Sequence, residues 1–348
     1  MDRIQLAVIP GDGVGPEVVA ELLPVLQWAA DRGRPLAWTS FPHGADHCLA
    51  SGETLSEPVF EHLRDDHDAV LFGAVGDPRI PDGRHAEGIL LKLRQGLQLS
   101  MNWRPCHPIQ DRHVPLAGRT AADIDLEVFR ENTEGPYGLQ GRSEPGRGID
   151  VAEHTEPAVR RLLEAAFQRA QARRRPLVLA HKANVLKHGH GLWVRIFQDL
   201  ATAHPGVDAR TMHADALLCA LIQDPRPFGV VAADNYLGDL ISDLTAGFMG
   251  GMGMAPSLSY APHRPHRCTA LAEPVHGSAP DLAGRDLANP CGAFLSAALL
   301  FRHLGWESEA GALEEAVSAA LQAGAATRDL GGTLGTRGMG QAVRALLA

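Results

Sequence analysis

Lysine is nearly missing from this sequence. Only Lys92, Lys182 and Lys187 occur among 32 basic residues, and arginine supplies the rest. A lysine kept against that bias is worth following. Cysteine is sparse: Cys48, Cys106, Cys219, Cys268 and Cys291 make an odd set with no C-x-x-C pair. A disulfide framework and a thiolate zinc site are therefore not expected, and the thiols read as reduced and intracellular. No basic segment followed by an apolar core opens the chain, so no secretory leader is expected. The longest apolar run, around 293–301, falls well short of the roughly 20 residues that a membrane span needs. A cytoplasmic protein with no membrane association follows as the expectation. Basic excess is absent as well. The net charge of -9 argues against a nucleic-acid partner, so an anionic small molecule would need a local cluster of cations. Internal repeats and low-complexity tracts are absent. Seventeen histidines include no H-E-x-x-H or paired metal spacing, and all but His276 are read as structural or exposed.

What is present alternates between two periodicities. RIQLAVIP (3–10) is a short apolar run stopped by Pro10 and glycines, as in a buried strand. The following segment has helical spacing with Pro16 in a first turn. Further strands are expected at 68–75, 126–132, 176–182 and 228–234. Helices are expected at 87–99, 155–174 (capped by Thr155) and 289–305. Residues 141–151 read as an exposed loop or arm. Strands alternating with helices imply an α/β fold, and 348 residues suggest about two domains.

GDGVG (11–15) between a strand and a helix suggests a dinucleotide loop. Pro16 occupies the place of a needed glycine, however, and no acidic residue ends a second strand. A tight turn near a cofactor fits better. The S-x-x-x-Y-x-x-x-K spacing of short-chain dehydrogenases is absent. Asp239 and Asp243 stand four apart, on one face of a helix and among apolar neighbours. Two like charges so placed are either a solvated face or ligands for an oxygen-preferring cation, Mg2+ or Mn2+. Arg130 closes one strand, where a guanidinium can grip a carboxylate in bidentate fashion. Lys182 closes another, where a lysine in a cleft could serve as a base.

Several segments together resemble the β-decarboxylating dehydrogenase family, which holds the isocitrate and isopropylmalate dehydrogenases. They are IPGDGVGPEV (9–18), GAVGDP (73–78), LLKLRQGLQLSMNWRP (90–105), RENTEGPYG (130–138), HKANVLK (181–187), DNYLGDLISD (234–243) and EPVHGSAPDLAGRDLANP (273–290). The resemblance spans nearly the whole chain and is nearest to the isopropylmalate branch. It implies two open-sheet α/β domains flanking a cleft, with catalytic sites shared between the subunits of a homodimer. Residues 1–100 with 253–348 would form a discontinuous cofactor domain. Residues 101–252 would form a dimerisation and metal domain, with an arm near 138–155.

The resemblance also implies residue roles. Arg94, Arg104 and Arg130 would clamp the carboxylates of a 3-substituted (2R)-malate. Asp239 and Asp243, with Asp215 from a second subunit, would hold Mg2+ or Mn2+. Lys182, also from the second subunit, would take the C2 hydroxyl proton, and Tyr137 would protonate the enol after CO2 leaves. Glu87, Leu90 and Leu91 would face the C3 substituent, and two leucines suit an isopropyl group. Gly73, Glu273, His276, Gly277, Ala279, Asp281 and Asn289 would line the cofactor, and the Asp281 carboxylate selects NAD over NADP. The implied reaction is NAD-dependent oxidative decarboxylation, as in leucine biosynthesis. Alternatives are a paralogue for another 3-substituted malate, D-malate, tartrate or an isocitrate analogue. A non-catalytic regulatory subunit fits less well, because Lys182, Tyr137 and the three aspartates are all kept. Trp103, His181, Ala233 and Tyr236 depart from the family pattern, and Trp103 is expected to reshape the substrate pocket.

Overall fold

The structure, a computed structural model, describes residues 3–347. The chain first lays down β1 (Ile4–Gly11), β2 (Leu36–Ser40) and β3 (Ala69–Ala74). Its middle part forms β4 (Met101–Cys106), β5 (Leu126–Glu131), β6 (Gly135–Glu144), β7 (Arg147–Glu153), β8 (Leu177–His181), β9 (Ala209–His213) and β10 (Val230–Ala233). It then returns through β11 (Pro256–Tyr260) and β12 (Ala270–Pro274). Two compact units result. One comprises the described parts of Met1–Leu99 and Met249–Ala348, and the other is Ser100–Phe248.

In the first unit the strand order is β2-β1-β3-β12-β11. The first four run parallel, and β11 is antiparallel to β12. Every residue of β3 is buried, as expected of a parallel strand covered on both faces. The helix Cys291–His303, buried continuously from Cys291 to Phe301, packs on the neighbouring strands β12 and β11. A core of Ile9, Phe60, Phe72, Leu93, Leu97 and Leu271 packs on the strands. The helix expected over 87–99 is instead composite: Arg84–Ala86, a π-helical turn at Glu87–Leu91, and Lys92–Gly96. Hydrophobic spacing cannot distinguish a π turn from an α turn over five residues.

In the second unit the order is β4-β5-β10-β8-β9, with β4 antiparallel to β5 and the rest parallel. The amphipathic helix Glu156–Arg173 starts where expected. The Thr155 hydroxyl accepts from the Ala158 amide at 3.4 Å, and Val159, Leu162, Leu163, Ala166 and Phe167 face inward. The stretch read as a loop or arm pairs with its neighbour as the β6-β7 hairpin, which is exposed along most of its length. No helix among the described residues is long and apolar enough to cross a membrane.

Candidate active site

β5, β10, β8 and β9 run parallel, so their carboxyl ends share one rim of the second unit. In open parallel sheets that rim is where ligands bind. Arg130 lies at the end of β5, Asp234 just after β10, Lys182 just after β8, and Asp215 just beyond β9.

The acidic pair sits on the helix Asn235–Phe248, which follows β10. Asp239 and Asp243 project from it one turn apart, with side chains 30 % and 41 % exposed. Their counter-charges come from strands. On antiparallel β4 and β5, Arg104 and Arg130 occupy positions of the same face, because Asn102 pairs with Arg130 and Arg104 with Val128. Arg104 Nη1 donates to Ser242 Oγ at 2.7 Å and lies 3.3 Å from Asp239 Oδ1 and 3.5 Å from Asp243 Oδ1. Arg130 Nη1 is paired with Asp239 Oδ1. Arg130 Nε and Nη2 both donate to Asn235 Oδ1, at 3.0 and 2.7 Å. The Tyr137 hydroxyl donates to the other Asp239 oxygen at 2.8 Å, and its ring lies 5.0 Å from the Arg130 guanidinium carbon.

Burial pushes the Asp243 carboxyl up, and the Asp239 charge adds to the effect, against the pull of both arginines. An oxygen-only donor set with one carboxylate so disfavoured as an anion suits a hard divalent cation. Among the described residues this helix turn thus joins two acids, two buried guanidiniums and a phenol.

Lys182 and Asp215 form a second group farther along the same rim. Lys182 Nζ lies 2.8 Å from Asp215 Oδ1, and that hydrogen bond lowers the Asp215 carboxyl below its ordinary range. Asp215 is 69 % exposed, and β10 lies between β8 and β5 in the strand order. Within one chain, therefore, Asp215 is the partner of Lys182, whereas the neighbours of Asp239 are Arg104, Arg130 and Tyr137.

The first unit holds the residues expected at a cofactor. Gly11 and Gly13 of the GDGVG turn have left-handed φ angles of 72° and 58°. A Cβ at Gly13 would come within 1.9 Å of the Ser278 carbonyl oxygen, so only glycine fits. A cavity of about 280 Å³ opens beside this turn, walled by Val14, His276, Gly277, Ala279, Asn289 and Asp329 among others. Burial lowers the His276 imidazole, whose Nε2 is enclosed with no hydrogen-bond partner among the described residues. An enclosed imidazole nitrogen suits a polar ligand atom. Asn289 is oriented by its 3.0 Å bond to Asp329.

Other expected residues lie elsewhere. Glu273 is buried against Arg94, with Arg94 Nη2 2.6 Å from Glu273 Oε1, while Arg94 Nε is enclosed with no hydrogen-bond partner among the described residues. Gly73 does not wall the cavity. Its missing side chain makes room for the Pro10 carbonyl oxygen, which would stand 2.2 Å from a Cβ there. Asp281 is exposed in a short 3-10 turn, outside the lining residues. Glu87, Leu90 and Leu91 form the π turn, and Leu90 packs partly against the core with Phe60 and Leu93. Trp103 corrects an expectation. It is on the strand face opposite Arg104, 5.0 Å from the Arg169 guanidinium carbon, and so does not shape the arginine-lined surface.

One group escaped the reading of the sequence. His154, His190 and Asp234 place ring nitrogens and a carboxylate oxygen within 4.8 Å of one another. The residues are 36 and 44 positions apart at successive steps. No local spacing could have announced them.

Comparison with known proteins matches the isocitrate/isopropylmalate dehydrogenase family model to residues 5–343. A 3-isopropylmalate dehydrogenase of Streptomyces avermitilis is 44 % identical over 91 % of this chain and 92 % of its own length. One of Streptomyces coelicolor is 43 % identical over 96 % and 98 %. One of Mycobacterium tuberculosis is 40 % identical over 99 % and 100 %. Among solved structures, isocitrate dehydrogenase from Methylococcus capsulatus superposes with a TM-score of 0.89 at 29 % identity over 99 % of both chains.

Proposed function

Because the chain belongs to the isocitrate/isopropylmalate dehydrogenase family, we propose that it oxidises and decarboxylates 3-isopropylmalate to 2-oxo-4-methylpentanoate and CO2. The observation that carries this reading is the convergence of Arg104, Arg130, Asp239, Asp243 and Tyr137 on one sheet rim. Guanidiniums held by buried partners are preorganised to accept a dicarboxylate, so little ordering cost remains for binding.

Each residue has a task in this reaction. Arg104 and Arg130, with Arg94, bind the malate carboxylates. Asp239 and Asp243, joined by Asp215 from a second copy of the chain, hold Mg2+ or Mn2+, which would offset negative charge developing at the C2 oxygen. Lys182 removes the C2 hydroxyl proton, and NAD, when bound, would supply the hydride acceptor. Loss of CO2 then leaves an enol. Tyr137 returns a proton to C3, and its hydroxyl already points at Asp239. His276, Gly277, Ala279 and Asn289 of the first unit's cavity would hold the adenosine side of NAD, and Asp281, exposed outside that lining, would discourage a 2′-phosphate. Leu91 supplies the main apolar contact for the isopropyl group, since Leu90 is partly committed to the core.

A shared site requires a homodimer. The exposure of Asp215 at 69 %, at one end of the rim, supports its being offered to a second copy. The test is a substrate panel with Mn2+ and NAD, followed by NADH absorbance. 3-Isopropylmalate is expected to give the highest kcat/KM. Faster turnover of D-malate, tartrate or isocitrate overturns the substrate assignment.

A further inference from the structure

We propose that His190 is a positioning residue which, oriented by Asp234, fixes the backbone from which Lys182 reaches its substrate. The proposal rests on the reading of Lys182 as the proton acceptor.

The geometry is a buried chain of three links. The Lys182 backbone N–H donates to His190 Nδ1 at 2.7 Å. His190 Nε2 lies 3.0 Å from Asp234 Oδ2. The other Asp234 oxygen accepts from the Leu237 amide at 2.8 Å and so caps the helix bearing Asp239 and Asp243. His190 is 2 % exposed and Asp234 5 %. Around Lys182 the chain is otherwise thinly held. Residues 184–188 are all exposed, and the amides of Val185 and Leu186 fold back onto the Lys182 carbonyl at 3.0 and 2.8 Å. Two rings therefore tie an exposed turn to the sheet: His190 through the Lys182 amide, and His181, whose Nδ1 accepts from the Ala183 amide at 3.2 Å.

Hydrogen-bond direction settles what this cluster does. A backbone amide can only donate, so His190 Nδ1 carries no proton and the neutral ring's single proton sits on Nε2, facing Asp234. His154 repeats the pattern. The indole N–H of Trp193 donates to its Nδ1 at 3.2 Å, and its Nε2 faces the same Asp234 oxygen at 4.0 Å. A metal at the two Nε2 atoms would have to strip each ring of its only proton, whereas ligating histidines normally donate from their other nitrogen. The trio is thus a hydrogen-bonded anchor and not a cation site. Its place in the fold explains its reach. β10 lies between β5 and β8, so Asp234 at its end bonds toward Lys182 through His190, while the next residue, Asn235, grips Arg130 on the other side.

A four-carbon lysine stem is flexible, and anchoring its Cα removes part of the search for a reactive geometry. Loss of the anchor should lower kcat more than it raises KM.

Two substitutions separate the anchor from mere packing. In His190→Asn the side-chain oxygen sits where Nδ1 was and still accepts the Lys182 amide. In His190→Gln the amide group sits near Nε2 and leaves the Lys182 N–H without its acceptor. His190→Gln is expected to lower kcat about tenfold, with KM for 3-isopropylmalate within about threefold, and to speed amide exchange across 182–188. His190→Asn is expected to recover most of both. In a Lys182→Ala background, His190→Gln should cost nothing further. Equal losses in the Gln and Asn variants, unchanged exchange across 182–188, or multiplied losses in the Lys182→Ala background would each overturn the proposal. If His190→Gln does not fold, Asp234→Asn replaces it, and wild-type kcat and exchange there overturn it equally. Wild-type turnover by Lys182→Ala alone would instead remove Lys182 from the reaction, a failure of the functional reading read out separately.

Discussion

Gly238 lies against Arg130: a Cβ built on Gly238 would stand 2.7 Å from both Cβ and Cγ of the arginine and 3.2 Å from its Cα. The missing side chain lets the helix bearing Asp239 and Asp243 settle onto β5, so that Arg130 reaches Asn235 and Asp239. Gly238→Ala must push backbone or arginine aside. The expected cost is about 1–3 kcal/mol of stability, together with a rise of about tenfold in KM for 3-isopropylmalate. Urea unfolding and steady-state kinetics measure the two effects. A variant with normal KM would show that Arg130 does not grip the substrate.

Asp243→Asn separates metal binding from folding. Because burial and Asp239 raise the Asp243 carboxyl, its ionised form is disfavoured in the folded protein. Without metal, the asparagine variant should be as stable as the parent or slightly more so, by less than about 1 kcal/mol at so exposed a side chain. Mn2+ should raise the melting temperature of the parent in a concentration-dependent way and leave the variant unmoved. Equal shifts in both proteins would place the metal elsewhere.

A charge cluster around the buried carboxylate of Glu127 predicts acid sensitivity of the second unit. Arg169 donates twice to Glu127 at 2.7 Å, and Arg173 Nη1 lies 3.3 Å from Glu127 Oε1. Burial alone would raise Glu127, but Arg169, His107 and Arg173 outweigh it and hold the carboxyl at about 2, below its ordinary 4.5. A carboxyl depressed on folding contributes its full stability above about pH 4.5 and loses it as pH falls toward 2. That contribution is roughly 3 kcal/mol. Glu127→Gln should therefore unfold more easily at neutral pH and show a flatter stability profile across that acid window. Chemical denaturation at stepped pH tests this, and parallel profiles would contradict it.

Site sharing between subunits predicts complementation. Lys182→Ala and Asp243→Asn homodimers should each be nearly inactive. If Lys182 of one copy serves the Asp243 of the other, random remixing makes half of the dimers mixed, each with one intact site of two. Activity should then recover to about a quarter of the parent value. No recovery after verified subunit exchange would mean that both residues serve the same chain's site.

Much of this arrangement was open to a reader of the residues alone. The i,i+4 spacing of Asp239 and Asp243 put them on one helical face. Apolar runs ending at Arg130 and Lys182 put both at strand ends, and Pro16 and Thr155 marked two helix starts. These are local regularities, carried by backbone periods of 2 and 3.6 residues. The helical character of Glu87–Leu91 was legible, but a π turn keeps helical spacing, so its type was not. Trp103 was misjudged because the side of the strand it faces depends on what packs on each face of the sheet.

Sequence alone determined the alternation of strands and helices, the kept lysine, the acidic pair and the family they mark. Tertiary structure alone decided which polar groups meet: the charges of Arg104 and Arg130 with Asp239 and of Arg94 with Glu273, and the Asp234 carboxylate with the neutral ring of His190. Those partners lie 44 to 179 residues apart and come together only because parallel strands align their carboxyl ends and buried ions must find counter-ions. Pairing across such distances follows from strand order and packing, and local spacing carries no record of it.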